Sequence, residues 1–483
     1  MKISEYIKKV QNKEIDIVSY TKEVLEKIKK LNEEYDCLIE ISEELALKQA
    51  EKISKDPKGK LAGVFVSVKD SICVKDVNST GGSRILEGYK PPFNATAVQN
   101  CVDEGAIIIG KTSQDEFGFG AFSVNVGVEY KIPKNPIDKT RATGGSSGGA
   151  ACITALADFP HISLGESTGG SIVNPGSFCG VLALCPTYGR VSRYGLIDYG
   201  NSLDKVGPIG KTAEDVAIGM ETIASYDKKD STSIDKEIPN YLEKLNSNIN
   251  GMKIGLIKES LDSGTDKNVK DVFNKQIEFL KSKGAVVEEV SLKKAIDYGI
   301  AAYYVIGTSE ASTNLAKYCG MRYGKEDELK GTFNEYFTNV RSKYLGDEAK
   351  RRIMLGTFTR TSGYRDAYYI KAMKIRTLII DEYKKAFEKF DVLISPTTPM
   401  IAPRFDEIEK MTPLQHYMAD VLTVGPNLAG LPHINIPIET ETMPVGFMVT
   451  GNHFDEQKLL DLAKVFENTK SQNNSSVSNS GGI

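Results

Sequence analysis

The 483 residues carry 61 lysines and arginines against 64 acids, a formal net charge of −3, and 40% of them are apolar. That balance supplies no global electrostatic pull toward nucleic acid, so contact with RNA is expected to run through a basic partner. No apolar run reaches ~18 residues and no signal-peptide pattern is present, which predicts a soluble, cytoplasmic chain with no membrane contact.

In chain order, residues 1–58 are rich in lysine and glutamate with helical spacing (Leu25, Ile28, Leu31), predicting a helical N-terminal portion packed on the core. From about residue 60 the character becomes α/β. In LAGVFVSVKDSI, Val64, Val66 and Val68 alternate with Phe65, Ser67 and Lys69, the period of a strand, and both faces are apolar enough for an interior one. NATAVQNCVDEG reads as a helix, and GAIIIGKT (105–112) fits the phosphate-loop pattern letter for letter. Its intervening residues, Ala106 to Ile109, read as a strand and not a phosphate-cradling turn, so the match is treated as accidental. Ile162–Leu164 forms a short strand, and residues 253–257, 269–280 and 285–290 read as a βαβ unit with a parallel pair. Asp391–Ser395 and Val445–Thr450 read as further strands, Asp227–Asn250 as a polar surface excursion, and 469–483 as a disordered tail. Length alone suggests about three domains. The chemically suggestive segments are spread along the chain and must converge, which predicts one large catalytic domain over 59–468.

The richest segment runs from Gly144 to Ser171, GGSSGGAACITALADFPHISLGESTGGS, with two glycine-rich serine turns. Glycine lets amide N–H groups approach a bound atom closely, so such turns suit a nucleophile, a proton relay and an oxyanion hole. A serine nucleophile needs a base. None of the four histidines, His161, His416, His433 and His453, sits in a nucleophile motif. Lys69, at the end of its buried strand, is the other candidate. To act near neutral pH it must give up its charge, a shift of roughly 3 units that burial and a nearby cation could supply. Cys37, Cys73, Cys101, Cys152, Cys179, Cys185 and Cys319 show no C-x-x-C pair or metal-ligand spacing and are expected to be reduced thiols. The N-x-[ST] sequences at Asn78 and Asn94 carry little meaning without a secretory signal.

VSVKD, GGSSGG and STGGSI, in that order, resemble the amidase signature family, and the resemblance spans roughly residues 60 to 460. It implies an α/β amidase-signature fold, a large mixed central β-sheet covered by helices on both faces. It also implies amide hydrolysis by a Ser–Ser–Lys triad, with Ser171 the nucleophile, Ser146 the bridging serine and Lys69 the base. A cis peptide bond is implied at Gly145–Ser146, and the backbone amides of Thr168, Gly169, Gly170 and Ser171 are implied as oxyanion donors. Many members read glycine-serine-aspartate-threonine before the last glycine pair, with arginine two residues past the nucleophile. This chain has Gly165-Glu166-Ser167-Thr168 and Val173, read as the joint loss of an ion pair, and one extra residue between the serines.

The runs at 303–324, 350–358 and 418–437 resemble the glutaminase subunits of tRNA-dependent amidotransferases within that family. That resemblance implies that Arg352 holds the α-carboxylate of glutamine, Asp420 its α-ammonium, and that Tyr303 lines the pocket. It further implies no cofactor in this chain, ATP and magnesium on a partner, and a heterotrimer completed by amidotransferase subunits B and C. Glutamate or aspartate mischarged on tRNA would then be amidated by the partner. Two other readings stay open: a stand-alone amidase for another small amide, and a non-catalytic scaffold protein.

Overall fold

The computed structural model describes residues 1–262 and 264–478. One mixed sheet of eleven strands organises them: β1 (Leu38–Ile41), β2 (Phe65–Lys69), β3 (Ile107–Thr112), β4 (His161–Ser167), β5 (Leu182–Cys185), β6 (Lys205–Gly210), β7 (Lys253–Ile257), β8 (Val286–Val290), β9 (Val392–Pro396), β10 (His433–Ile438) and β11 (Val445–Gly451). Their spatial order is β1-β3-β2-β4-β6-β5-β10-β11-β9-β7-β8. β3, β2 and β4 run parallel, as do β9, β7 and β8 at the far end. The strands between these ends are joined by antiparallel ladders.

Every residue of β2, β3 and β4 is buried, as expected of strands covered on both faces. Phe65, Val66, Val68, Ile107 to Ile109 and Leu164 belong to one continuous apolar core. The βαβ unit forms as read, through helix Lys267–Ser282. That helix docks by stacking Phe273 on Phe447 of β11, with ring centroids 4.7 Å apart. A second apolar cluster gathers Ala302, Tyr303, Ile306, Ile379, Tyr383 and Val424 where helix Lys293–Asn314 packs against helix Lys371–Phe387. Helix Asp347–Arg360 packs on the same long helix.

Three differences from the sequence reading stand out. The N-terminal portion is not wholly helical: β1 lies between helices Ile17–Tyr35 and Glu43–Lys55 and pairs antiparallel with β3 as the sheet's edge. Four residues following a long amphipathic helix are too few to show a strand period. The strand before the nucleophile turn is longer than Ile162–Leu164, running to Ser167. The final helix, Glu456–Ser478, continues into the segment read as a disordered tail, and residues 479–483 lie outside the described residues. Among the described residues, no helix is long and apolar enough to cross a membrane.

Candidate active site

Lys69 closes β2 with a fully buried side chain. Its Nζ lies 2.7 Å from Ser146 Oγ, 2.8 Å from a carboxylate oxygen of Glu166 and 2.9 Å from the Glu166 carbonyl. The amine therefore points inward and meets the bridging serine. The charged group that touches Lys69 is the Glu166 carboxylate, where the sequence reading expected a nearby cation.

Ser146 follows a peptide bond that is cis, Gly145–Ser146. Beneath this turn lies Asp115, fully buried, which accepts backbone N–H bonds from Ser123 (3.0 Å) and Asn125 (2.8 Å). Burial pushes its carboxyl up to about 6, against the pull of those two bonds and of Lys69. A Cβ on Gly145 would collide with the Asp115 carboxylate, which explains the glycine. Nothing in the local sequence announced Asp115.

Ser171 sits four residues beyond β4 and, unlike Lys69 and Ser146, keeps 6% of its surface exposed. Its carbonyl accepts from the Ser147 N–H at 3.1 Å, which ties the two serine turns together through the backbone. Among the described residues its hydroxyl makes no hydrogen bond to Ser146 or Lys69, so the structure joins two of the three triad side chains directly and brings the third alongside. The turn is pinned by Asn174 N–H donating to Gly170 O at 2.8 Å. Among the described residues, the N–H groups of Gly169, Gly170 and Ser171 donate to no protein acceptor, which leaves them available to an oxyanion.

Ser167 and Val173 stand where the usual ion pair would be, and Val173 is fully buried; a carboxylate, Glu166, stands one position upstream of the usual one and meets Lys69 instead. Strand alternation turns Glu166 and Ser167 to opposite faces, and Glu166 takes the face that reaches Lys69. Its other carboxyl oxygen lies 3.0 Å from Thr168 Oγ1, which in turn lies 2.8 Å from Asp204 Oδ1. Burial and the neighbouring Glu166 push the Asp204 carboxyl well above the usual carboxylate range.

Arg352 and Asp420 converge from helix Asp347–Arg360 and from the turn after helix Pro413–Met418. Arg352 is buried, donating from Nε to Glu348 (2.8 Å) and from Nη1 to Tyr199 Oη (2.8 Å). The guanidinium lies over the rings of Tyr304 (5.0 Å) and Phe119 (5.1 Å), and among the described residues its Nη2 makes no hydrogen bond. Asp420 accepts from Asn174 Nδ2 at 2.6 Å, and the Asn174 Oδ1 is buried with no hydrogen-bond partner among the described residues. Burial pushes the Asp420 carboxyl up to about 7, against the opposing pull of Arg352 and the bonds from Asn174 and Tyr304. Tyr303 lies against the nucleophile turn: a Cβ on Gly169 would come 2.5 Å from its ring. The Tyr303 hydroxyl is 3.5 Å from that of Tyr199, so Tyr199 links the arginine to the turn. Tyr199 and Asn174 were missed in the sequence, since an isolated tyrosine or asparagine carries no motif.

A cavity of about 250 Å³ opens beside Arg352, lined also by Tyr304, Glu348, His416 and Tyr417. A wider recess of about 570 Å³, beside His161, Lys211 and Asp215, includes none of Lys69, Ser146 and Ser171. The phosphate-loop lookalike is a strand: residues 107–112 form β3, and the buried Lys111 Nζ meets Ser79 Oγ at 2.7 Å and Asp70 Oδ1 at 3.3 Å. His161 meets Ser67 at 3.0 Å and His433 meets Asn427 at 3.3 Å, so both are occupied in the core. All seven cysteines are free thiols.

A buried lysine on a serine hydroxyl, under a glycine turn with open amides, defines a class of serine-dependent amide hydrolase on a mixed sheet. The chain belongs to the amidase family, whose model matches residues 19–460. It is 43% identical over 463 residues to the A-subunit of the glutamyl-tRNA(Gln) amidotransferase of Microcystis aeruginosa, an alignment covering 94% of this chain and 95% of that one. It is equally 43% identical to the protein of that name in Thermoanaerobacter pseudethanolicus, covering 96% and 95%. A crystal structure of the corresponding glutamyl-tRNA(Gln) amidotransferase A-subunit from Thermotoga maritima superposes with a TM-score of 0.79 at 33% identity, covering 97% of this chain and 94% of that chain.

Proposed function

We propose that this chain is the glutamine-hydrolysing subunit of a tRNA-dependent amidotransferase. The observation that carries the proposal is the paired placement of Arg352 and Asp420 within one network with the nucleophile turn. A zwitterion needs a cation for its carboxylate and an acceptor for its ammonium, whereas a neutral amide needs neither. Arg352 keeps Nη2 for the carboxylate, and Asp420 with Asn174 Oδ1 offers two acceptors to the ammonium.

With glutamine so held, its side-chain carbonyl meets Ser171. The Ser171 proton passes to Ser146 as the Ser146 proton moves toward Lys69, and the serine oxygen bonds to the carbonyl carbon. The N–H groups of Gly169, Gly170 and Ser171, with Thr168, receive the oxyanion. On collapse the C–N bond breaks, the returning proton completes ammonia, and a glutamyl ester remains on Ser171. Water attacks that ester by the same relay, releasing glutamate. The ammonia would serve amidation of glutamate or aspartate mischarged on tRNA, with ATP and magnesium on a cytoplasmic partner assembly of subunits B and C.

The test is glutamine hydrolysis by the chain alone and by the assembly purified from source cells, with and without ATP and mischarged tRNA. Hydrolysis stimulated by the partners and tRNA supports the reading. Full activity of the isolated chain on unrelated amides, with no stimulation, would favour a stand-alone amidase.

A further inference from the structure

Helix Asp347–Arg360, which carries Arg352, begins without a side-chain cap of its own. Three other helices start with a box closed inside their own first turn, Thr212 with Asp215, Thr332 with Glu335 and Thr412 with Gln415. Here the cap residue is Gly346 and the residue three places on is Ala349, so neither side chain can take part. The acceptor comes from 230 residues away: Glu116 Oε2 takes the Gly346 N–H at 2.8 Å. Gly346 has φ −72° and ψ 167°, a conformation open to any residue. A Cβ there would nevertheless come 2.5 Å from Glu116 Oε2, so the glycine answers to the approach of that carboxylate.

Glu116 is itself fixed in place. Its side chain is buried, its Oε1 accepts from the Ser83 hydroxyl, and its N–H donates to Asn125 O at 2.8 Å. Its neighbour Asp115 holds the same loop by accepting the Asn125 N–H at 2.8 Å, and the Asp115 N–H reaches Ser146 O at 3.3 Å. One short segment therefore meets the turn of the bridging serine through residue 115 and the helix of the arginine through residue 116. Its next residues lie between the same two regions. A Cβ on Gly118 would lie 3.5 Å from Ser146 Oγ and 3.5 Å from the Tyr199 ring. The Phe119 ring packs edge-on against Tyr199 with centroids 4.7 Å apart, and the Arg352 guanidinium lies 5.1 Å from the Phe119 centroid.

We infer that Glu116 is a positioning residue for glutamine capture. It fixes the start of the arginine helix against the segment that supports Ser146, and so sets the span between the guanidinium and the nucleophile turn. Among the described residues Glu116 bonds to no member of the triad, so it acts through the helix. Without it the helix start is free to fray, and glutamine must order that turn before Arg352 can grip its carboxylate. Such a cost lowers apparent affinity by the fraction of helix still in register, while the bound complex turns over as before. This role rests on the glutamine reading of Arg352 given above and deepens it, by naming what holds the arginine in register.

The test is made on the full chain in the assembly used for glutamine hydrolysis. Glu116→Ala removes the external cap and is expected to raise the glutamine KM about tenfold or more, with kcat falling less than about threefold. Glu116→Gln is the rescue: its carbonyl accepts the Gly346 N–H and its amide donates to Ser83 Oγ, so KM is expected within about twofold of wild type. Support of the fold in general is separated by the rate at which a fluorophosphonate labels Ser171, which needs the triad and not the arginine. That rate is expected to be unchanged in Glu116→Ala. An unmoved KM, a Gln variant as impaired as the Ala variant, or labelling slowed in proportion to kcat/KM would each overturn the role of Glu116. Should Glu116→Ala not fold, Gly346→Ala displaces the same contact from the helix side; a raised KM with unchanged labelling is expected, and an unmoved KM overturns the role. Arg352→Lys controls for the underlying reading. If it leaves the glutamine KM unchanged, the glutamine reading at Arg352 fails and the role of Glu116 falls with it; if it raises KM and Glu116→Ala does not, only the role of Glu116 is removed.

Discussion

The nucleophile region and the recognition region are built in contrasting ways. Lys69, Ser146, Glu166 and Ser171 stand at strand ends and tight turns, and the sheet places them from both sides, β2 and β4 being adjacent and parallel. Arg352, Asp420, Tyr303 and Tyr199 come from helices and loops spread between residues 199 and 420, held by packing on helix Lys293–Asn314. The first region is rigid because every residue of its strands is buried; the second is assembled from side chains whose partners are other side chains. Chemistry that needs fixed geometry sits on the sheet, and specificity sits on the helices, where it can vary without disturbing the triad.

Substitutions can break this division. Ser171→Ala is expected to lower glutamine kcat by on the order of 10⁴-fold or more while thermal unfolding stays cooperative. Wild-type turnover in that variant would remove Ser171 as nucleophile. Arg352→Lys exchanges a planar fork for a point charge and is expected to raise the glutamine KM more than about tenfold with a smaller change in kcat. An unchanged KM in steady-state assays would place the arginine outside the pocket.

Asp420 sharpens the comparison through pH. With its carboxyl near 7, it is ionised above that value and neutral below it, so its attraction for an ammonium is lost as pH falls. The glutamine KM is expected to rise roughly tenfold between about pH 8 and pH 6, and Asp420→Asn should abolish that slope. A slope that survives the substitution would assign the titration elsewhere. The smallest effect is expected at the seam between the regions. Gly169→Ala would press a methyl group into Tyr303, shifting both the oxyanion turn and the pocket wall. A fall of about tenfold or less in kcat with a moderate rise in KM is the expected outcome; an effect on KM alone would mean the turn does not move.

The sequence disclosed the sheet-borne half far better than the helix-borne half. Alternation through Val64, Val66 and Val68 and the paired glycine turns are local signals, and the strands and the Lys69–Ser146 contact follow them. The βαβ unit at 253–290 was equally visible, because helix and strand periods each run their full length there. Glu166 was read only as part of a departure from the usual motif, since its meaning depends on Lys69, 97 residues away. Asp115, Asp204 and Tyr199 gave no signal at all: each is a single polar residue whose role is set by what the fold stacks against it. A carboxylate at the end of the strand that feeds a nucleophile turn is the one clue that could have been weighed more heavily. β1 was hidden for a different reason, its four residues gaining their identity only from β3.

The most direct measurement is to quench the protein during glutamine turnover and locate the acyl group by peptide mass spectrometry. A glutamyl ester on the peptide carrying Ser171, absent in Ser171→Ala, is the predicted result. Glutamine hydrolysis with no adduct on Ser171, or with an adduct on another residue such as Cys179, would contradict the account.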